Sequence, residues 1–347
     1  MLIFAIVCAV LVALLLAGRV YQQIGTARDL RRHPAPGKFV DARGRQLHAL
    51  TMGEGGTTVV FESGLMSTVL SWRDIQSEIA KTARTFSYDR AGLGWSEAGA
   101  VPRDAERIAT ELHALLENMQ VPPPYILVGH SFGGLTTRVF TGRYPDQVAG
   151  LVLLDPVVAA EWHPVGEQNQ RRIRIGTRIL RRASGLSRWG VLRFVSMLLR
   201  SGIKPLAEPL VRLMSKGAPK GDGTTKSPLF WNLPPSERSM AHVFWVQPKF
   251  TETIASQLEN LPASAAQALA AGEALRHIPV FVVSAADASA SRLADHEAIA
   301  RASSSGKHFT AKEGGHWVMV DEPDLVLQAI REVVEMTSQT HRAKARA

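Results

Sequence analysis

A serine between two glycines is the first place in this sequence where chemistry can be read. Gly129-His130-Ser131-Phe132-Gly133 follows the apolar run Tyr125-Ile126-Leu127-Val128 and opens a helical run over residues 135–140. A G-x-S-x-G segment between a strand and a helix forces a sharp turn, which strains the serine and exposes its oxygen. Side chains two residues before and after would collide, so Gly129 and Gly133 belong to the turn. The N–H of Phe132, at the start of the helix, is free to bind an oxyanion. The chemistry is nucleophilic catalysis at Ser131. A serine hydroxyl is a poor nucleophile at neutral pH and requires a base within hydrogen-bond reach.

Such a serine must be presented by a rigid frame, and the rest of the chain supplies its pattern. β-Branched and apolar runs predict eight strands, at residues 38–41, 46–52, 57–62, 85–88, 125–129, 151–154, 279–284 and 308–311. The first two form a hairpin. Helical periodicity covers 72–83, 104–120, 294–301 and 324–336, with Ile108, Leu112, Leu115 and Leu116 on one face of the second. Alternating strands and helices predict an α/β fold, a mostly parallel eight-stranded sheet with helices on both faces. Residues 157–277 interrupt the alternation with helical patterns and no clear strand, and are expected to form an inserted helical cap. The core is then 38–156 and 278–340, followed by a basic tail at 341–347.

Several segments together resemble the α/β-hydrolase fold superfamily. Ser63-Gly64-Leu65 follows the strand Thr57-Thr58-Val59-Val60-Phe61-Glu62, and Asp89-Arg90-Ala91-Gly92-Leu93-Gly94-Trp95-Ser96 matches a D-R-x-G-x-G-x-S segment. Asp287 follows the strand at 279–284, and Gly314-Gly315-His316-Trp317 follows the last strand. The order Ser, Asp, His is the one expected for this fold. The resemblance implies Ser131 as nucleophile and His316 as base, with a carboxylate that orients the imidazole. Asp287, after the seventh strand, is the preferred acid. Asp155, after the sixth, is the alternative. The resemblance also implies the Leu65 N–H as second oxyanion donor beside that of Phe132. Ser63 stands where the family has His, but a backbone donor does not depend on that side chain. His130 is expected to pack under the oxyanion region, and Arg90 to brace the nearby loop, with Glu62 as a partner.

These roles predict a serine hydrolase that cleaves a small-molecule or lipid-like ester through an acyl-enzyme. The same residues could serve a C–C, amide or peroxide-type substrate, and a non-catalytic binding protein on this fold is the reading from another class. No cofactor is expected. There is no H-E-x-x-H, one cysteine cannot build a thiolate cluster, and no G-x-G-x-x-G lies between strand and helix.

The charge is uneven. The chain of 347 residues has a net charge of +9. Residues 171–226 hold ten Arg and four Lys against Glu208 and Asp222, a local +12 that leaves the rest at −3. Disordered, collagen-like and disulfide-scaffold classes are excluded by the 46% hydrophobic content and the single cysteine. No nucleic-acid module is present, so the basic segment is read as a solvated cap face or as a pair of interfacial helices on anionic lipid. Residues 1–18 carry no charged side chain and would span about 27 Å as a helix, close to the thickness of a bilayer core. They are expected to be an uncleaved transmembrane anchor, the alternative being a signal peptide. The flank after them carries Arg19, Arg28, Arg31, Arg32 and Lys38, opposed only by Asp29, and residues 19–37 are read as a basic juxtamembrane linker. That flank places the body on the cytoplasmic side, an exported body being the alternative.

Overall fold

The apolar runs assemble into one sheet whose two faces bury different halves of the same strands. A computed structural model describes residues 1–203 and 235–346. Its strands are β1 Lys38–Asp41, β2 Gln46–Met52, β3 Thr58–Glu62, β4 Arg84–Tyr88, β5 Tyr125–His130, β6 Val148–Leu154, β7 Val280–Ser284 and β8 Lys307–Thr310. They lie in the order β1-β2-β4-β3-β5-β6-β7-β8. β2 is antiparallel to both β1 and β4, and the remaining pairs are parallel. The chain is an α/β fold of the expected kind.

The longer α-helices among the described residues are α1 Leu2–Arg32, α2 Arg73–Ile79, α3 Ala105–Asn118, α4 Gly133–Arg143, α5 Glu167–Arg188, α6 Val191–Arg200, α7 Pro235–Phe244, α8 Pro248–Glu259, α9 Leu261–Ala270, α10 Ala290–Arg301 and α11 Pro323–Arg346. Strand side chains alternate between faces, and the central strands are apolar on both. Val60, Leu127, Leu151, Leu153, Val280 and Val282 join Ile108, Leu112 and Leu115 of α3 and Leu135 and Phe140 of α4 in one core. Val59, Phe61, Ile126, Val128, Val152, Phe281 and Val283 join Ile75 and Ile79 of α2 and Val326, Ile330 and Val333 of α11 in the other. The Asp104 side chain accepts the Arg107 N–H at 2.9 Å and so starts α3 where the sequence places it. The helix predicted at 72–83 is shorter: a 3-10 turn at Val69–Trp72 leads into α2.

Helices α5 to α9 lie in the interval predicted to be a cap; its residues 204–234, and with them the end of the basic segment, lie outside the described residues. In α5, Ile173, Thr177, Ser184 and Ser187 are buried at helical spacing while Arg171, Arg172, Arg174, Arg178, Arg181, Arg182 and Arg188 are exposed. Its basic face is therefore solvated and its opposite face packs on α8. Helix α6 differs. Arg193, Val195 and Leu198 turn inward, while Phe194, Met197 and Leu199 are exposed, as is Trp189 before it.

The N-terminus is helical through most of the stretch expected to be a linker. One uninterrupted helix, α1, runs to Arg32, with an exposed apolar window of mean hydropathy 2.7, long and apolar enough to cross a membrane. Residues 19–32 are not a linker but a helical strut against the cap. The strut docks because Gly18 and Gly25 have no side chain: a Cβ on Gly18 would strike the Trp189 carbonyl, and one on Gly25 the Arg193 side chain. Gln22 is buried and its Nε2 donates to the Val246 carbonyl at 3.0 Å. The Arg193 guanidinium donates to Gln22 Oε1 at 3.2 Å and to Thr26 Oγ1 at 3.1 Å, and pairs with Asp29. The one acid of the basic flank is thus committed to the cap.

Removing the guanidinium leaves Asp29 and Gln22 without their partner in a largely buried joint. Arg193→Ala is therefore expected to cost about 3 kcal/mol. The measurement is thermal unfolding of the full-length protein in detergent, with proteolysis between residues 30 and 40 reporting the loosened strut.

Candidate active site

The turn after β5 is set by its backbone. Ser131 has φ 53°, in the left-handed region that a non-glycine residue enters at a cost. Its N–H donates to the Leu154 carbonyl of β6 at 3.0 Å. A Cβ on Gly129 would lie 2.7 Å from Thr137 Oγ1 and 2.8 Å from the Gly133 carbonyl oxygen, and one on Gly133 would meet the carbonyls of Glu62 and Ser63. The two glycines therefore let α4 start directly against β3 and β5.

His316, on the loop after β8, reaches back across the ends of the strands. Its Nε2 lies 2.9 Å from Ser131 Oγ and its Nδ1 2.6 Å from Asp155 Oδ2. A carboxylate accepts, so the proton is on Nδ1 and Nε2 is left to take the serine proton. Ser131 and Asp155 are almost fully buried, whereas the His316 side chain is 45% exposed. Burial raises the Asp155 carboxyl, but the hydrogen bond and charge of His316 and the Ala285 N–H outweigh it, so its pKa lies below the usual range.

The acid preferred from sequence, Asp287, is not the residue against the imidazole. It is exposed beside Gly315 and makes no hydrogen bond to His316 among the described residues. The physical reason is strand adjacency. β6 is the direct neighbour of β5, so the residue after Leu154 emerges next to Ser131. Asp155 is fixed there with φ 38°, its N–H donating to the Val283 carbonyl at 2.7 Å and its Oδ1 accepting the Ala285 N–H at 3.3 Å. The end of β7 thus supplies an N–H to Asp155 rather than the carboxylate beside His316. Behind it, His296 Nε2 lies 2.9 Å from the Pro156 carbonyl, and Ser284 Oγ stands 2.7 Å from His296 Nδ1 and 2.8 Å from His308 Nε2. This chain steadies the Asp155-Pro156 turn, and no sequence signal marked it.

The loop after β3 faces the serine. A Cβ on Gly64 would lie 3.5 Å from Ser131 Cβ and 2.8 Å from His130 Nδ1, so only glycine lets the backbone pass this close. Neither the Leu65 nor the Phe132 N–H is hydrogen-bonded among the described residues, which leaves both for an oxyanion. Arg90 donates to the carbonyls of Ser63 and Gly64 and lies 3.4 Å from Glu62, as its reading as a brace implied. Burial pushes the Glu62 carboxyl up to about 7 against the pull of Arg90 and the Tyr88 hydroxyl. Ser63, in the place of the usual His, accepts from Trp72 Nε1 at 2.9 Å and donates to the Thr68 carbonyl at 3.1 Å, so the loop is tied internally by a hydroxyl.

His130 packs against this loop as expected and does one thing more. Its Nε2 donates to the His316 carbonyl at 2.8 Å, which holds the backbone of His316. Burial, with the neighbouring His316, lowers its pKa to about 3 and keeps the ring neutral. Glu237, from α7, is the other residue the sequence did not mark. It is buried against Ser67 and Thr68, and burial raises its carboxyl to about 7. Among the described residues no group of His, Cys, Asp and Glu is arranged to hold a metal ion.

The fold agrees with comparisons to known proteins. The profile of the alpha/beta hydrolase fold matches residues 57–323, and the chain belongs to that family. It is 36% identical over 106 residues to the uncharacterised protein YqjL of Bacillus subtilis, covering 30% of this chain and 42% of that one. It is 46% identical over 68 residues to lipase LipV of Mycobacterium tuberculosis, 20% of this chain and 26% of that one. The chain therefore matches less than half the length of these curated relatives. Among solved structures it is similar to a thermophilic esterase from Thermogutta terrifontis, with TM-score 0.59 and 18% identity over 86% of this chain and 97% of the esterase; this likeness is one of fold.

Exchange of each carboxylate separates the two candidate acids. Asp155→Asn is expected to lower kcat about 10⁴-fold, because an amide no longer fixes the productive tautomer, while Asp287→Asn stays within about twofold, as for an exposed side chain outside the hydrogen-bonded line. Steady-state ester hydrolysis by the purified variants is the measurement.

Proposed function

We propose that this member of the alpha/beta hydrolase family is a serine hydrolase acting on carboxylic esters, held at a membrane by its N-terminal helix. The observation that carries the reading is the single imidazole bonded on one side to a buried carboxylate and on the other to a strained, turn-borne serine. Ser131 Oγ attacks the ester carbonyl carbon while His316 Nε2 takes its proton, and the ionised Asp155 stabilises the imidazolium. The developing oxyanion is received by the N–H groups of Phe132 and Leu65. Collapse of the tetrahedral intermediate expels the alcohol, which takes the proton from His316. Water, activated by the same imidazole, then releases the acid and restores Ser131. A serine at position 131 argues against the branches of this fold that use an aspartate nucleophile.

The membrane part of the proposal is supported by α1. Its apolar half is exposed along its length, while its second half is locked to the cap from Gly18 onward. Cleavage near residue 18 would cut through a helix packed on Trp189, which favours a retained anchor over a leader. The basic flank favours a cytoplasmic body, and exposed Trp189 and Phe194 beside the end of the apolar stretch suit contact with an anionic lipid surface.

A fluorophosphonate probe is expected to label wild-type protein and not Ser131→Ala. A folded wild type that resists the probe sinks the hydrolase reading. A series of p-nitrophenyl esters then ranks acyl-chain length.

Membrane attachment has its own test. Wild-type protein is expected to stay with membranes in alkaline carbonate, and Leu11→Arg/Leu15→Arg to be released, since each arginine at mid-span costs about 3 kcal/mol. Equal release of both forms counts against an anchor.

A further inference from the structure

The loop that offers the Leu65 N–H is held from two directions. From the core, Arg90 binds the carbonyls of Ser63 and Gly64, and Asp89 Oδ1 accepts the Val69 N–H at 2.9 Å. From the cap comes one carboxylate oxygen. Glu237 Oε1 accepts the Thr68 N–H at 2.6 Å, lies 2.8 Å from Thr68 Oγ1 and 3.0 Å from Ser67 Oγ, and the side chain is 3% exposed. Ser67 and Thr68 are the second and third residues after Leu65, on a backbone that at Gly64 passes as close to Ser131 as a glycine allows. Burying a carboxylate is costly without partners, and here its donors come from one turn of one loop. The interaction therefore specifies where that turn sits.

We propose that Glu237 is a positioning residue for the oxyanion-binding loop: the cap carboxylate fixes the Ser67-Thr68 turn and, through it, the Leu65 N–H opposite Ser131. The proposal rests on the serine-hydrolase reading. It makes the seating of the cap and the completeness of the oxyanion site one event. With α7 in place the loop has its carboxylate and Leu65 faces the serine. With α7 displaced, the Thr68 N–H loses its acceptor and the loop relaxes away from the geometry an oxyanion needs. Glu237 touches no reacting atom, so its effect belongs in kcat rather than in substrate binding.

The test uses full-length protein in detergent, with kcat and KM for a p-nitrophenyl ester and the rate of labelling by a fluorophosphonate. In that labelling Ser131 Oγ bonds to phosphorus, fluoride leaves and the serine proton passes to His316. Glu237→Ala is expected to lower kcat and the labelling rate about 100-fold, the scale of a lost or misplaced oxyanion donor, with KM within about twofold. Glu237→Gln, which keeps an acceptor oxygen, is expected to retain activity within about fivefold, its donors weakened but not orphaned. Should the Ala variant fail to fold, Ser67→Ala/Thr68→Val removes two donors from the loop side and is expected to lower kcat about tenfold with KM unchanged. A folded Glu237→Ala, or failing that the double variant, that labels at the wild-type rate or changes only KM overturns the positioning role while leaving the hydrolase reading intact. Wild type that resists the probe overturns the reading and this proposal with it.

Discussion

One imidazole must make two hydrogen bonds at once, 2.6 Å to Asp155 and 2.9 Å to Ser131, from a loop that belongs to neither partner's strand. The requirement is severe, because three chain segments far apart in sequence have to end at the same edge of the sheet with their side chains converging. The parallel register supplies this. β5 and β6 deliver Ser131 and Asp155 side by side, each through a positive-φ residue that turns the side chain out of the strand direction. β8, two strands beyond β6, ends so that its following loop can fold back over both. The strain at Ser131 and Asp155 is sustained by backbone hydrogen bonds to the neighbouring strands and by the two packed cores beneath them.

Around this line lies a buried polar layer. His130 holds the carbonyl of His316, Arg90 holds the loop after β3, and the Ser284–His296–His308 chain holds the turn after Asp155. In low dielectric such contacts are strong, so the layer fixes the geometry around Ser131, His316 and Asp155 rather than merely filling space. Tightness here and openness at His316 are compatible. The His316 side chain is 45% exposed, while Ser131, Asp155 and His130 around it are buried.

The N-terminal helix and the cap extend the same logic outward. An apolar span on its own would be a tether. This one continues as a strut whose glycines admit the cap backbone and whose Asp29 is paired with Arg193. Through α6, α7 and Glu237, the cap is tied at one side to the strut and at the other to the loop beside Ser131. The basic surplus belongs partly to α5, where it is a solvated face over a buried stripe.

The local patterns were legible in the sequence because their causes are local. Two glycines around Ser131 report a turn too tight for side chains. Runs such as Val59-Val60-Phe61 report a strand buried on both faces, and eighteen uncharged residues report a helix that can span a bilayer. His316 was legible from the glycines before it and the strand it follows. The choice between Asp155 and Asp287 was not, since both follow a strand and only the lateral order of the strands decides which lies beside Ser131. Nor was the strut, whose docking depends on Arg193 and Trp189 more than 160 residues away, or the grip of Glu237 on Thr68 across 169 residues. Periodicity and spacing carry what a segment does with its own neighbours. Which distant side chains converge on one imidazole or one turn is decided only when the sheet is assembled and the cap has closed on it.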